Sequence, residues 1–216
     1  MEQIRIVCFG DSNTWGYDPR TSERFPQKVR WTGLLQEKLG RKYQVIEEGQ
    51  NGRTIATEDP CEGEKNGLNM IVPCMESQKP FDLLILMLGT NDLKGKFGYC
   101  AMDVAGEMER MLEKIRIYGK YHMTKEPRIL LVSPVHVGET IRESWLGECF
   151  GYEHAVRVSR ELAEWYAHLA KTYGCDFMDA SEFAKVGGTD AIHLEKEGHA
   201  ALAGAMECYV RRIFEV

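Results

Sequence analysis

The stretch Ile4-Arg5-Ile6-Val7-Cys8-Phe9-Gly10-Asp11-Ser12-Asn13-Thr14-Trp15 decides how the rest of the chain is read. Its first half is a run of apolar and β-branched residues, the composition of a buried strand. Gly10 then lets the backbone turn without a side-chain penalty. Asp11 and Ser12 fall just beyond it, at the strand's carboxyl end. In an open α/β sheet that edge is where ligands bind. A serine there becomes a nucleophile only when a base and a set of oxyanion donors reach it, and both must come from distant parts of the chain.

Outward from this strand, apolar runs alternate with helical periodicities. A polar loop over 17–29 contains Pro19 and Pro26, and a helix is predicted from Arg30 to Leu39 with Gly40 as its stop. Tyr43 to Glu47 reads as a second strand, followed by the turn-rich Gly49-Gln50-Asn51-Gly52. A helix over 68–78 is expected to be kinked or shortened by Pro73. Phe81 to Leu88 carries the continuous run Leu83-Leu84-Ile85-Leu86-Met87-Leu88, as a strand covered on both faces must. It ends at Gly89-Thr90-Asn91-Asp92. Helices over 101–118 and 153–173, strands over 128–133 and 175–178, and a closing helix over 195–214 complete the pattern. The segment 135–152 has weak periodicity and reads as a long loop with one short helical piece. The order predicts one domain over 1–216, a three-layer α/β/α sandwich around a five-stranded parallel sheet. Right-handed crossovers would bring Ser12, Gly52, Asn91 and the Asp190 region to a single edge.

Composition narrows the function. A length of 216 residues suits one domain with a sizeable core. The net charge of −6, with both signs interspersed, argues against nucleic acid or an anionic membrane as partner. No apolar run approaches the roughly 20 residues needed to span a bilayer. The first strand starts within a few residues of Met1, so no signal peptide is expected. The seven cysteines are scattered, form no Cys-x-x-Cys pair, and read as free thiols in a reducing cytoplasm, with Cys8 in the core. No cluster has metal-ligand spacing, so no metal is expected. Glu47 and Glu48 are adjacent on a strand and point to opposite faces, which makes them a poor acid/base pair.

The candidate base is His193, in Asp190-Ala191-Ile192-His193 before the last helix. Two intervening residues allow the Asp190 carboxylate to meet the imidazole on one face of a turn. Oxyanion donors would be the backbone N–H of Ser12, the backbone N–H of Gly52 and the side-chain amide of Asn91. Other readings compete. A Gly-Asp-Ser triplet also makes ordinary turns, Asp190 can equally cap the last helix, and Asn91 can cap the turn after its strand. Asp92 reads as a brace for its loop. Trp15 and Tyr17 fit either an acyl pocket or simple packing, and His136 is either a substrate contact or a plain loop histidine. Asp11 is grouped with Trp15 and His136 as a substrate-side candidate.

Gly10-Asp11-Ser12, Gly52 after a second strand, Gly89-x-Asn91-Asp92 and Asp190-x-x-His193 occur in the order of the signature blocks of the SGNH (GDSL-type) hydrolases, which the chain resembles over nearly its whole length. Cys8 to Gly16, Arg30-Trp31-Thr32-Gly33, Val45 to Gly49, Arg53-Thr54 and Met87 to Asp92 resemble the bacterial arylesterase/acyltransferase branch. The resemblance implies a flavodoxin-like sandwich, no cofactor, and hydrolysis of small esters, with acyl transfer to alcohols in some members. It implies Ser12 as nucleophile, Asp190 and His193 as its triad partners, and Ser12, Gly52 and Asn91 as the oxyanion hole. Asn13 stands where the family usually has leucine, and Asn51-Gly52 replaces a small-residue pair; both bear on the acyl pocket. The Gly-x-Ser-x-Gly elbow of α/β-hydrolases is absent. A carbohydrate O-deacetylase using the same residues, and a non-catalytic binding module for a phosphate-bearing cofactor, are the rival readings. The partner expected is a small-molecule ester. The branch also tends to oligomerise, with the loops 57–69 and 135–152 as contact surfaces that narrow the site.

Overall fold

The computed structural model describes residues 3–214. Five strands form one sheet in the order β2-β1-β3-β4-β5, and every neighbouring pair is parallel. They are β1 (Ile4–Gly10), β2 (Tyr43–Gly49), β3 (Leu83–Met87), β4 (Arg128–Ser133) and β5 (Asp176–Asp179). Parallel returns require crossovers. The helices are α1 (Ser12–Trp15), α2 (Trp31–Leu39), α3 (Gly67–Gln78), α4 (Ala101–His122), α5 (Gly147–Phe150), α6 (Glu153–Tyr173) and α7 (Lys196–Phe214).

The strands bury both faces. Val7, Phe9, Leu84, Leu86 and Leu131 pack with apolar residues of α3, α4 and α6. Ile6, Cys8, Ile85, Leu130 and Val132 pack with those of α2 and α7 on the other side. This is the predicted three-layer sandwich, and its continuous apolar strands follow from double coverage. The chain reverses its direction of travel through the sheet between β1 and β3. That switch point opens a crevice at the carboxyl edge, where such folds bind ligands.

Several boundaries differ from the expected ones. β2 runs to Gly49 because Glu48 and Gly49 pair in register with Phe9 and Gly10. Helix α3 spans Gly67–Gln78 with Pro73 inside it, so the proline does not shorten it. Segment 135–152 contains two short pieces, a 3₁₀ turn at Glu139–Glu143 and α5. The four-residue α1 was not anticipated. Asp11 starts it by accepting the Asn13 N–H at 2.9 Å, and Gly16 ends it at φ 88°. Gly10 matters for space: a Cβ there would lie 2.1 Å from Thr14 Oγ1 and 2.9 Å from Met87 O.

Arg53 fastens the sheet edge. Its buried guanidinium donates to the carbonyls of Gly10 (2.7 Å) and Glu48, and lies 4.1 Å from the Phe9 ring centroid. Among the described residues, no helix is long and apolar enough to cross a membrane. The seven cysteines carry free thiols, and burial pushes that of Cys8 up, as befits a core residue. Replacing Arg53 by Met removes a donor from two strand-end carbonyls, of which Gly10 O keeps the Gln50 N–H. We expect a loss of about 1–3 kcal/mol in urea unfolding, with Arg53→Lys recovering only part of it.

Candidate active site

Ser12 is the first residue of α1, directly beyond β1. Its Oγ lies 2.9 Å from His193 Nε2, and His193 Nδ1 lies 2.5 Å from Asp190 Oδ2. A carboxylate at Nδ1 fixes the tautomer that leaves the Nε2 lone pair facing the serine hydroxyl. The local backbone explains the two-residue spacing. Asp190 Oδ1 accepts the N–H groups of Ile192 (3.0 Å) and His193 (2.9 Å), so the loop winds around the carboxylate. The winding takes Ala191 to φ 64°, a conformation unusual for a residue with a side chain. Burial acts to raise the Asp190 pKa, but the imidazole and the two backbone donors outweigh it and hold the carboxyl below its ordinary value.

Asn13 joins the serine to the histidine loop. Its Nδ2 donates to Ile192 O (3.2 Å) and its Oδ1 accepts the Leu194 N–H (2.8 Å). These two backbone groups flank His193. Asn13 does not itself border the cavity beside Ser12, but it holds Ile192, which does. Asn51, the other departure, does stand in the wall of the cavity beside Ser12.

The loop after β2 is stitched to the end of β3. Asn91 Nδ2 donates one hydrogen to Arg53 O at 3.1 Å, which leaves the second for the cavity. Asp92 Oδ1 accepts the Ile55 N–H at 2.9 Å, so Asp92 braces the loop as its sequence context suggested. Complete burial and the charge of Glu107 push the Asp92 carboxyl well above its ordinary value. Gly52, just before these bonds, has φ 77°, and a Cβ on it would lie 2.1 Å from Glu62 Oε2.

Ser12, Gly52, Asn91 and His193 all border one cavity of about 150 Å³. Tyr17 also borders it, with its ring centroid 4.4 Å from that of His193. Three candidates do not. Asp11 is buried as the cap of α1, and burial raises its pKa. Trp15 turns outward, with the Arg24 guanidinium 5.3 Å from its ring centroid. His136 is half-buried off the cavity, and burial lowers its pKa. The two long loops supply walls that spacing could not reveal: Glu62 from one, and Trp145, Leu146, Cys149 and Phe150 from the other, with Lys94 between them. Glu47 and Glu48 diverge as expected, Glu47 to Arg30 (2.6 Å) and Glu48 to Gln78 (2.8 Å). A larger recess of about 610 Å³ lies around Arg5, Asp82 and Lys125, with no serine or cysteine in its walls. Among the described residues no group of three or more potential metal ligands occurs.

The sequence model of the GDSL-like lipase/acylhydrolase family matches residues 8–201. The native M. smegmatis aryl esterase superposes with a TM-score of 0.91 at 35% identity, over 98% of this chain and 100% of that one. A carbohydrate acetylesterase from Sinorhizobium meliloti superposes with a TM-score of 0.92 at 32% identity, over 98% and 100%. No protein of curated function matches the sequence.

Two outcomes follow from this geometry. Asp190 is held below its ordinary pKa, so the stability it contributes is present above about pH 4 and is lost as pH falls through its folded pKa. The stability gap between wild type and Asp190→Asn in urea unfolding should therefore narrow from pH 7 to pH 3. Asn13→Leu buries the Ile192 carbonyl and Leu194 N–H without partners and should cost about 1–3 kcal/mol in the same assay.

Proposed function

The chain belongs to the GDSL-like lipase/acylhydrolase family, and from that premise we propose that it hydrolyses short-chain carboxylic esters through an acyl-enzyme on Ser12. His193 Nε2 takes the hydroxyl proton as Ser12 Oγ attacks the ester carbonyl carbon. The carbonyl oxygen gains negative charge and is held by the N–H groups of Ser12 and Gly52 and by the Asn91 amide. The imidazolium returns its proton to the departing alcohol oxygen. Asp190, kept ionised, stabilises the imidazolium while it exists. Water then enters, gives a proton to His193 and attacks the acyl carbon, and His193 passes that proton to Ser12 Oγ as the acid departs. An alcohol in place of water would give transfer of the acyl group.

The observation that carries this reading is the unbroken contact from Asp190 through His193 to Ser12, at 2.5 and 2.9 Å, beside a cavity that also meets Gly52 and Asn91. The small volume of that cavity favours a short acyl group. The aryl esterase neighbour suggests activated aryl esters, and the acetylesterase neighbour gives deacetylation of carbohydrates as a second reading. The free thiols suit a reducing compartment, which supports a cytoplasmic location.

A fluorophosphonate probe should label the wild type and not Ser12→Ala, and p-nitrophenyl acetate turnover should fall at least about 10³-fold in that variant. Turnover or labelling that persists in Ser12→Ala would overturn the assignment. Rates on acetylated sugars against aryl acetates separate the two substrate readings.

A further inference from the structure

One wall of the cavity beside Ser12 is charged. Lys94, with a side chain only 3% exposed, donates to Asp59 Oδ2 at 3.0 Å and to Glu62 Oε1. Asp59 is fully buried and also receives Lys96. Burial acts against the charge on Lys94, but Glu62 and Asp59 outweigh it and raise its pKa, so the ammonium persists. Burial likewise acts to raise the Asp59 pKa, and the two lysines drive it well below the ordinary carboxylate range.

Glu62 differs from its partners. Its side chain is 39% exposed and borders the cavity, and only Oε1 is engaged by Lys94. Oε2 lies against the face of Gly52, in the space a Cβ would fill. Gly52 offers one of the proposed oxyanion donors, so Oε2 sits beside a residue that would hold the ester carbonyl. A carboxylate oxygen with free lone pairs and a fixed position accepts a hydroxyl hydrogen well. The network of Lys94, Lys96, Asp59 and Glu62 is balanced in charge, so it supplies hydrogen bonding without a net charge to draw in an anion.

We propose that Glu62 is a specificity-determining residue that accepts a hydrogen bond from a hydroxyl group near the substrate's ester, with Lys94 as the residue that positions it. The class of substrate is a short ester with a neighbouring hydroxyl, on either the alcohol or the acyl side. This inference rests on the esterase reading above.

The test compares kcat/KM for ethyl acetate with that for two isomeric hydroxylated esters, 2-hydroxyethyl acetate and ethyl glycolate. In the wild type at least one isomer should exceed ethyl acetate, and the better isomer identifies the side that carries the hydroxyl. In Glu62→Ala that preference ratio should fall about tenfold, the scale of one hydrogen bond to a charged group. Glu62→Gln keeps an acceptor oxygen and should retain part of the ratio, an effect a merely structural role would not give. A wild type with no preference for either isomer, or a ratio unmoved in Glu62→Ala while both rates fall together, would overturn the proposal. A wild type inert toward all three esters and unlabelled by the fluorophosphonate probe would instead defeat the esterase reading itself, and this inference with it.

Discussion

Parallel pairing makes every strand leave the sheet by the same edge, and the site depends on that constraint. β1, β2 and β3 pair in register, so the residues that follow them start from one level. Register alone leaves the loops beyond the strands free to diverge. Three sets of polar contacts prevent that: Arg53 to the ends of β1 and β2, Asn91 and Asp92 to the loop after β2, and Asn13 to the loop of His193. Each joins a side chain to a backbone group. Such bonds fix a loop's position whatever side chains the loop carries, and this leaves the cavity walls free to vary.

Buried carboxyl groups near this edge have contrasting environments. Asp190 and Asp59 are surrounded by donors and cations and are held below their ordinary pKa. Asp11 and Asp92 are dominated by desolvation, and theirs are raised. The first pair keeps charge beside the His193 ring and the Lys94 ammonium. The second pair acts chiefly through the backbone N–H groups it accepts, at Asn13 and Ile55, for which full charge is not required.

The sheet was legible because β1, β3 and β4 are buried on both faces and therefore read as unbroken apolar runs. Ser12, Gly52, Asn91, Asp190 and His193 were legible because each follows a strand or precedes a helix within a short recognisable block. Helix α1 was not, since four residues carry no periodicity and its ends depend on one cap and one left-handed glycine. Trp15 was ambiguous because its packing beside Arg24, away from the cavity, is a contact that only tertiary structure brings about. The outer walls were illegible for a related reason. Glu62 and Lys94 are paired across a distance in sequence that no local pattern encodes, and 135–152 holds two short helical pieces where one was expected.

The bonds of Asn13 to Ile192 and Leu194, like the contact of Ser12 with His193, link residues some 180 positions apart, with separations of 179 and 181. A chain emerging from the ribosome presents Ser12 early and His193 only 181 residues later. The two groups meet only after the whole span between them has been made and folded, so their contact reports on the tertiary structure of nearly the entire described chain.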